Sequence, residues 1–167
     1  MLEVKVGYVG VHRETGHPLV LLSDLEELRY LPIVIGAYEA GAILASLEGH
    51  SFSRPLTHDL LLNTINSLQG RLLQVVISTI ESGAFHALLY VSSPSGVVEI
   101  DSRASDAIAL ALRAGVSIYV TEEVASRAMI PATRVESVED VDEEKEEFLR
   151  FLEDVRPEDF RSSLEQD

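Results

Sequence analysis

The sequence predicts an α+β domain in which a mixed β-sheet is packed with helices. Three observations carry that prediction. Val- and Leu-rich runs such as Leu72–Glu81 and Ala84–Ser92 have strand length and are bounded by turn residues. Ala- and Leu-dense segments carry an acid near their start and a glycine at their end, the polarity of a helix. A chain of 167 residues that is 46% hydrophobic can bury one substantial core.

Taken in order, residues 3–12 alternate weakly, are rich in Val and read as a strand. Glu14-Thr15-Gly16-His17-Pro18 is a turn, Leu19–Leu22 a short strand and Ser23–Glu27 a polar turn. Leu28–Ile35 is a strand with Pro32 inside it, which calls for an edge or a bulge. A helix follows over Tyr38–Glu48, with Gly49 just past its end. After the irregular stretch 50–56, Thr57 is placed to cap a helix that runs to about Leu68 and stops at Gly70. Ser82-Gly83 joins Leu72–Glu81 and Ala84–Ser92 as a hairpin. Val97–Asp101 is the next strand, and Ser102 or Ser105 caps a helix over Asp106–Ala114 that Gly115 ends. Ser117–Val120 is a short strand, Glu122–Met129 a helix stopped by Pro131, and Val138–Leu152 an acidic helix; residues 156–167 lack any core-forming pattern. Leu31–Gly49 and Val98–Gly115 share a plan of strand, acid, small-residue helix and glycine, which raises an internal duplication. The chain thus divides into a domain over 1–135 and an acidic helical tail over 136–167.

Composition narrows the functional classes. The chain has no cysteine, which excludes disulfides, Cys-based metal sites and a Cys nucleophile. The start, Met1-Leu2-Glu3-Val4-Lys5, lacks the pattern of a secretory signal, and apolar runs such as Ile108–Leu112 are too short for a membrane span, so a cytoplasmic protein without membrane contact is expected. The net charge is −15, of which residues 136–167 hold −10 and residues 1–135 hold −5. Neither part carries the basic footprint of a tight nucleic-acid binder. There is no Walker A loop, GxGxxG fingerprint, GxSxG elbow or HExxH pair, and no organic cofactor is called for.

The candidate chemistry sits at helix starts. Glu39, Asp59 and Asp106 each stand near one, where the helix dipole alone would explain them. Arg54-Pro55-Leu56-Thr57-His58-Asp59 adds a cation and an imidazole at a loop-to-helix junction. A helix N-terminus favours neutral imidazole, so His58 suits a proton acceptor or a metal ligand; it is also compatible with an ordinary surface position. Asp101-Ser102-Arg103-Ala104-Ser105-Asp106 joins a strand to a helix, a common place for ligands. Asp101 and Asp106 could share a divalent cation and Arg103 could hold a phosphate, or Arg103 simply pins the turn through a salt bridge.

Together these blocks resemble the bifunctional nuclease domain family. The opening signature is Arg29–Gly36 with Glu39-Ala40 and Ala42-Ile43, the second is Arg54–Leu60, and the third is Ile100–Arg113, in the family's order over about residues 3–130. The family usually has Pro where this chain has Ala104. The resemblance implies a mixed α+β fold, a homodimer and nuclease activity on both DNA and RNA. On that basis Asp101 and Asp106 are candidate ligands of a divalent metal, Mg²⁺ or Mn²⁺, with Glu39 or Asp59 completing the shell. His58 is the candidate general base, and Arg54 and Arg103 the phosphate contacts. The competing class is a non-enzymatic dimeric interaction module, in which the charged blocks are caps and salt bridges. The two differ in one geometric respect: catalysis requires the blocks to meet in one cleft.

Overall fold

A computed structural model describes residues 1–12 and 15–137. The acidic helix expected over Val138–Leu152 and the tail to Asp167 lie outside the described residues. Eight strands form one sheet: β1 (Leu2–Val11), β2 (Pro18–Asp24), β3 (Arg29–Val34), β4 (Arg71–Glu81), β5 (Ala84–Ser93), β6 (Gly96–Arg103), β7 (Ile118–Val120) and β8 (Ile130–Pro131). Four helices accompany them: α1 (Ala37–Leu47), α2 (Thr57–Ser67), α3 (Ala104–Ala114) and α4 (Glu122–Ala128), with a 3-10 helix at Ala132–Ser137. The strand order is β6-β5-β4-β7-β1-β2-β3-β8. β4 and β7 run parallel and the other neighbours antiparallel, so the sheet is mixed and the fold is α+β as the sequence predicts.

One core runs through the molecule. Leu22, Leu31, Ile43, Val75, Ile77, Ile108 and Leu110 are among its fully buried side chains. α3 is the central helix: its Ala107, Ile108, Ala109, Leu110 and Ala111 are all buried, and it packs on α1, α2, β4 and β5. Its alanines explain how one helix is enclosed on several sides, because small side chains let neighbouring backbones approach. Ser82 and Gly83 both have positive φ, the backbone of a two-residue hairpin turn matched to the strand twist. Gly49 is left-handed, and the N–H groups of Gly49 and His50 bond back to Ser46 O and Ala45 O, which closes α1.

Three local expectations differ. The turn predicted from Ser23 begins later, because Ser23 still pairs with both neighbouring strands and Asp24 with β1. Asp24 tolerates that burial since its carboxylate accepts from Leu28 N, Arg29 N and Arg29 Nε. Thr57 is the first helical residue of α2 rather than its cap; Leu56 stands at the cap, and its N–H is held by Asp59 Oδ2 at 2.9 Å. Neither Ser102 nor Ser105 caps α3. The β5–β6 ladder continues to the His86–Arg103 pair, so the chain passes directly from strand to helix with Arg103 at the cap. Ala104 is therefore the first helical residue, a position that also suits proline, and the departure from the family's Pro removes no chemical group. Pro32 meets its expectation: β8 pairs only with Arg29 and Tyr30, which leaves β3 an open edge from Leu31 onward among the described residues.

Candidate active site

The starts of α1, α2 and α3 converge. They line a cavity of about 600 Å³ that includes Tyr38 and Glu39 from α1, Thr57 and His58 from α2, and Arg103 and Asp106 from the α3 junction. Its floor is the small-residue face of α1, Gly41, Ala42 and Ala45, and Phe52 and Pro55 come from the loop before α2. Neither α1 nor α3 has a side-chain oxygen bonded to its free N-terminal N–H groups and α2 has only the Asp59 bond to Leu56 N, whereas Thr121 Oγ1 accepts from Val124 N in α4, away from the cavity. Uncapped helix N-termini carry partial positive charge and suit an anion.

Four side chains form one network there. His58 Nε2 lies 3.0 Å from Asp106 Oδ1. Arg103 grips Asp106 with two bonds, Nε to Oδ2 at 2.6 Å and Nη2 to Oδ1 at 3.1 Å. Its Nη1 donates to Glu39 Oε1 at 2.9 Å. Glu39 folds back over its own helix start, so close that a Cβ on Gly36 would collide with Oε2. Burial pushes the Asp106 carboxyl up, but the bonds and charges of Arg103 and His58 outweigh it and hold it below the ordinary carboxylate range. Asp106 stays ionised and accepts from His58 Nε2–H; in the neutral ring Nδ1 then carries the lone pair. No described residue bonds that nitrogen.

A second tie joins the helices behind the cavity. Arg113, only 8% exposed, donates to Asp59 Oδ1 at 2.6 Å, to Ala42 O at 3.0 Å and to Ala109 O at 2.9 Å. One guanidinium thus spans α2, α1 and α3. Burial raises the Asp59 carboxyl, and the Leu56 N–H with Arg113 more than reverses this. In the sequence Arg113 is only the last residue of the Ile100–Arg113 block; its function as a tie depends on two elements distant in the chain.

Of the sequence candidates, Glu39, His58, Arg103 and Asp106 come together. Asp59 belongs to the tie rather than the cavity. Asp101 is exposed on β6, two residues before Arg103, outside both the network and the cavity wall. Arg54 is exposed in the loop before α2 and does not line the cavity, although its neighbours Phe52 and Pro55 do. Among the described residues no three His, Asp or Glu side chains are arranged to hold a metal ion. Both oxygens of Asp106 and of Asp59 are already engaged, by cations or N–H groups, so the set as it stands does not fit a divalent cation.

The depressed carboxyls also fix how stability responds to acid. Asp24, Asp59 and Asp106 all lie below the ordinary value in the folded chain. Their contribution is therefore complete above the unfolded value of about 3.9 and is lost as pH falls through the folded values. The melting temperature should hold steady from neutrality to about pH 5 and fall steeply below about pH 4. Asp24→Asn should have a lower melting temperature at neutral pH and a shallower acid slope; parallel curves for the two proteins would contradict the assignment.

The comparisons with known proteins bear on the same residues. The family model for the bifunctional nuclease domain matches residues 20–133, most of the chain and all three helix starts. The chain belongs to the bifunctional nuclease domain family. Two relatives are similar over nearly the whole length. Uncharacterized protein MT1877 of Mycobacterium tuberculosis (strain CDC 1551 / Oshkosh) is 38% identical over 167 residues, which covers 98% of this chain and 100% of the relative. Uncharacterized protein Rv1829 of Mycobacterium tuberculosis (strain ATCC 25618 / H37Rv) matches to the same extent. Within the bifunctional nuclease domain the match takes in the cavity, the His58–Asp106–Arg103 network and the Arg113 tie. No helix among the described residues is long and apolar enough to cross a membrane.

Proposed function

We propose that this bifunctional nuclease domain hydrolyses phosphodiester bonds in DNA and RNA in the cytoplasm. The observation that carries the reading is the convergence of three helix N-termini on one cavity that also holds His58, Asp106 and Arg103. A phosphodiester brings a negative charge that the helix starts and the Arg103 guanidinium attract. His58 Nδ1 takes the proton from an attacking water, and Asp106 holds the ring and stabilises the imidazolium that forms. The N–H groups at the helix starts, and the two Arg103 N–H groups not already bonded to Asp106 or Glu39, donate to the oxygens on which negative charge grows. None of these steps passes through a metal ion.

The test is cleavage of plasmid DNA and of RNA by the purified chain, with and without EDTA, beside Asp106→Ala prepared identically. Cleavage by the wild type in both conditions, strongly reduced in the variant, supports the reading. Loss of all activity in EDTA would move the reaction to a metal, and equal residual activity in every sample would mean contamination and end the enzymatic reading.

A second reading has its own support. The carboxylates are paired with arginines, as they would be in a non-enzymatic dimeric module. In either case we propose a homodimer. No residue of α2 is buried, and Leu60, Leu61 and Leu68 are exposed. Edge strand β6 likewise exposes Val97, Val98 and Ile100. Light scattering should give twice the 18.3 kDa chain mass. Leu60→Glu with Leu61→Glu should halve it while the domain still unfolds cooperatively; a wild-type chain of monomer mass would contradict the dimer.

A further inference from the structure

A second cavity, of about 330 Å³, also has Arg103 in its wall. It shares Glu39 and Arg103 with the larger one and is otherwise mainly apolar, with Ile33, Ile35 and Phe85 in its wall. Phe85 is placed there by the tight Ser82-Gly83 turn, which brings the start of β5 to the mouth of the recess. The larger cavity has its own aromatic rim, the exposed rings of Tyr38 and Phe52. We propose that the two cavities hold the two nucleobases of an unpaired dinucleotide step, with the phosphate between them at Arg103. The substrate class is then single-stranded nucleic acid. This inference rests on the nuclease reading above.

Charge and shape point to the same occupant. With a net charge of −15 the protein is poorly suited to a duplex, whose affinity comes largely from neutralising many phosphates at once. Arg103 addresses one phosphate. The remaining affinity must come from a source that tolerates a negative protein, and stacking of bases on aromatic rings is such a source. A paired base is closed off within its own stack and cannot enter a recess, whereas an unpaired base can. Stacking also ignores the 2′-hydroxyl, so one site serves DNA and RNA strands alike.

The experiment measures fluorescence anisotropy of the full chain with a labelled deoxythymidine hexamer, the matching RNA hexamer and a labelled 12-base-pair duplex of mixed sequence. Any strand that the wild type cuts is measured with His58→Ala. The hexamers should bind at least tenfold more tightly than the duplex, with a log–log salt slope near that of one phosphate, about −0.7. Phe52→Ala and Phe85→Leu should each weaken hexamer binding about fivefold or more. Phe85→Leu keeps apolar packing against the core while removing the flat ring, and melting temperature checks that both variants fold. Duplex binding as tight as hexamer binding, or unchanged affinity in both folded variants, overturns the inference and leaves the nuclease reading intact. Failure of the wild type to bind any of the three overturns both.

Discussion

His58→Ala should lower the rate of phosphodiester cleavage by about 10²- to 10⁴-fold, the range lost with a general base. The fold should survive. Among the described residues the His58 side chain is held by one hydrogen bond, to Asp106, and Asp106 keeps both of its bonds to Arg103 when the imidazole is gone. The stability cost is then that of one side-chain hydrogen bond, about 1 kcal/mol. Asp106→Asn is the informative partner variant. Its amide retains the shape but can present an N–H to His58, which would favour the wrong ring tautomer, and Arg103 loses the charge it clamps. Its rate should fall nearly as far as that of His58→Ala, and the double variant should be little worse than either, because the two act as one unit. Rates are read as initial cleavage of a labelled strand by proteins of equal melting behaviour. If His58→Ala cut at the wild-type rate, the imidazole would not be the base, whatever else the cavity binds.

Arg113→Ala should destabilise the domain by about 2–4 kcal/mol, more than any other single substitution we foresee. Three groups each lose one bond at once: the Asp59 carboxylate and the carbonyls of Ala42 and Ala109, which keep only their bonds within α1 and α3. Asp59 retains some access to water and the Leu56 N–H, which keeps the cost below that of a fully buried orphan charge. Arg113→Lys should recover little, since one ammonium cannot reproduce a planar fork that reaches three helices. Urea unfolding followed by circular dichroism measures both variants; a midpoint within 0.3 M of wild type for Arg113→Ala would show that the tie is dispensable. Because α1 and α2 each bring one wall of the cavity, a loosened tie should also reduce cleavage in conditions where the variant remains folded.

The two effects separate what the chain writes locally from what it assembles. Helix starts at Glu39, Asp59 and Asp106 were legible because dipole partners, Ala-rich interiors and closing glycines are local signals within a dozen residues. The Ser82-Gly83 hairpin was legible for the same reason, as it depends on two residues that accept positive φ. Helix caps were less so. Ser102 and Ser105 are good cap residues by type, but the β5–β6 ladder extends to Arg103 and fixes where the strand must become helix. A cross-strand partner seventeen residues earlier in the chain decides that boundary, and no propensity records it.

The candidate site divides along the same line. The sequence alone determined that this is an α+β domain of the bifunctional nuclease family, without cysteine chemistry, with its acids and arginines gathered at helix starts. The tertiary structure decided which of those charges meet. It brought Glu39 to Arg103 across 64 positions and His58 to Asp106 across 48, kept Asp59 for a structural tie to Arg113, and left Asp101 and Arg54 outside. The physical reason is that spacing along a strand or helix fixes only the direction of a side chain relative to its own element. Which side chains share a cavity follows from how helices pack on a common sheet, and that is set by the buried face of each element rather than by the charged residues themselves.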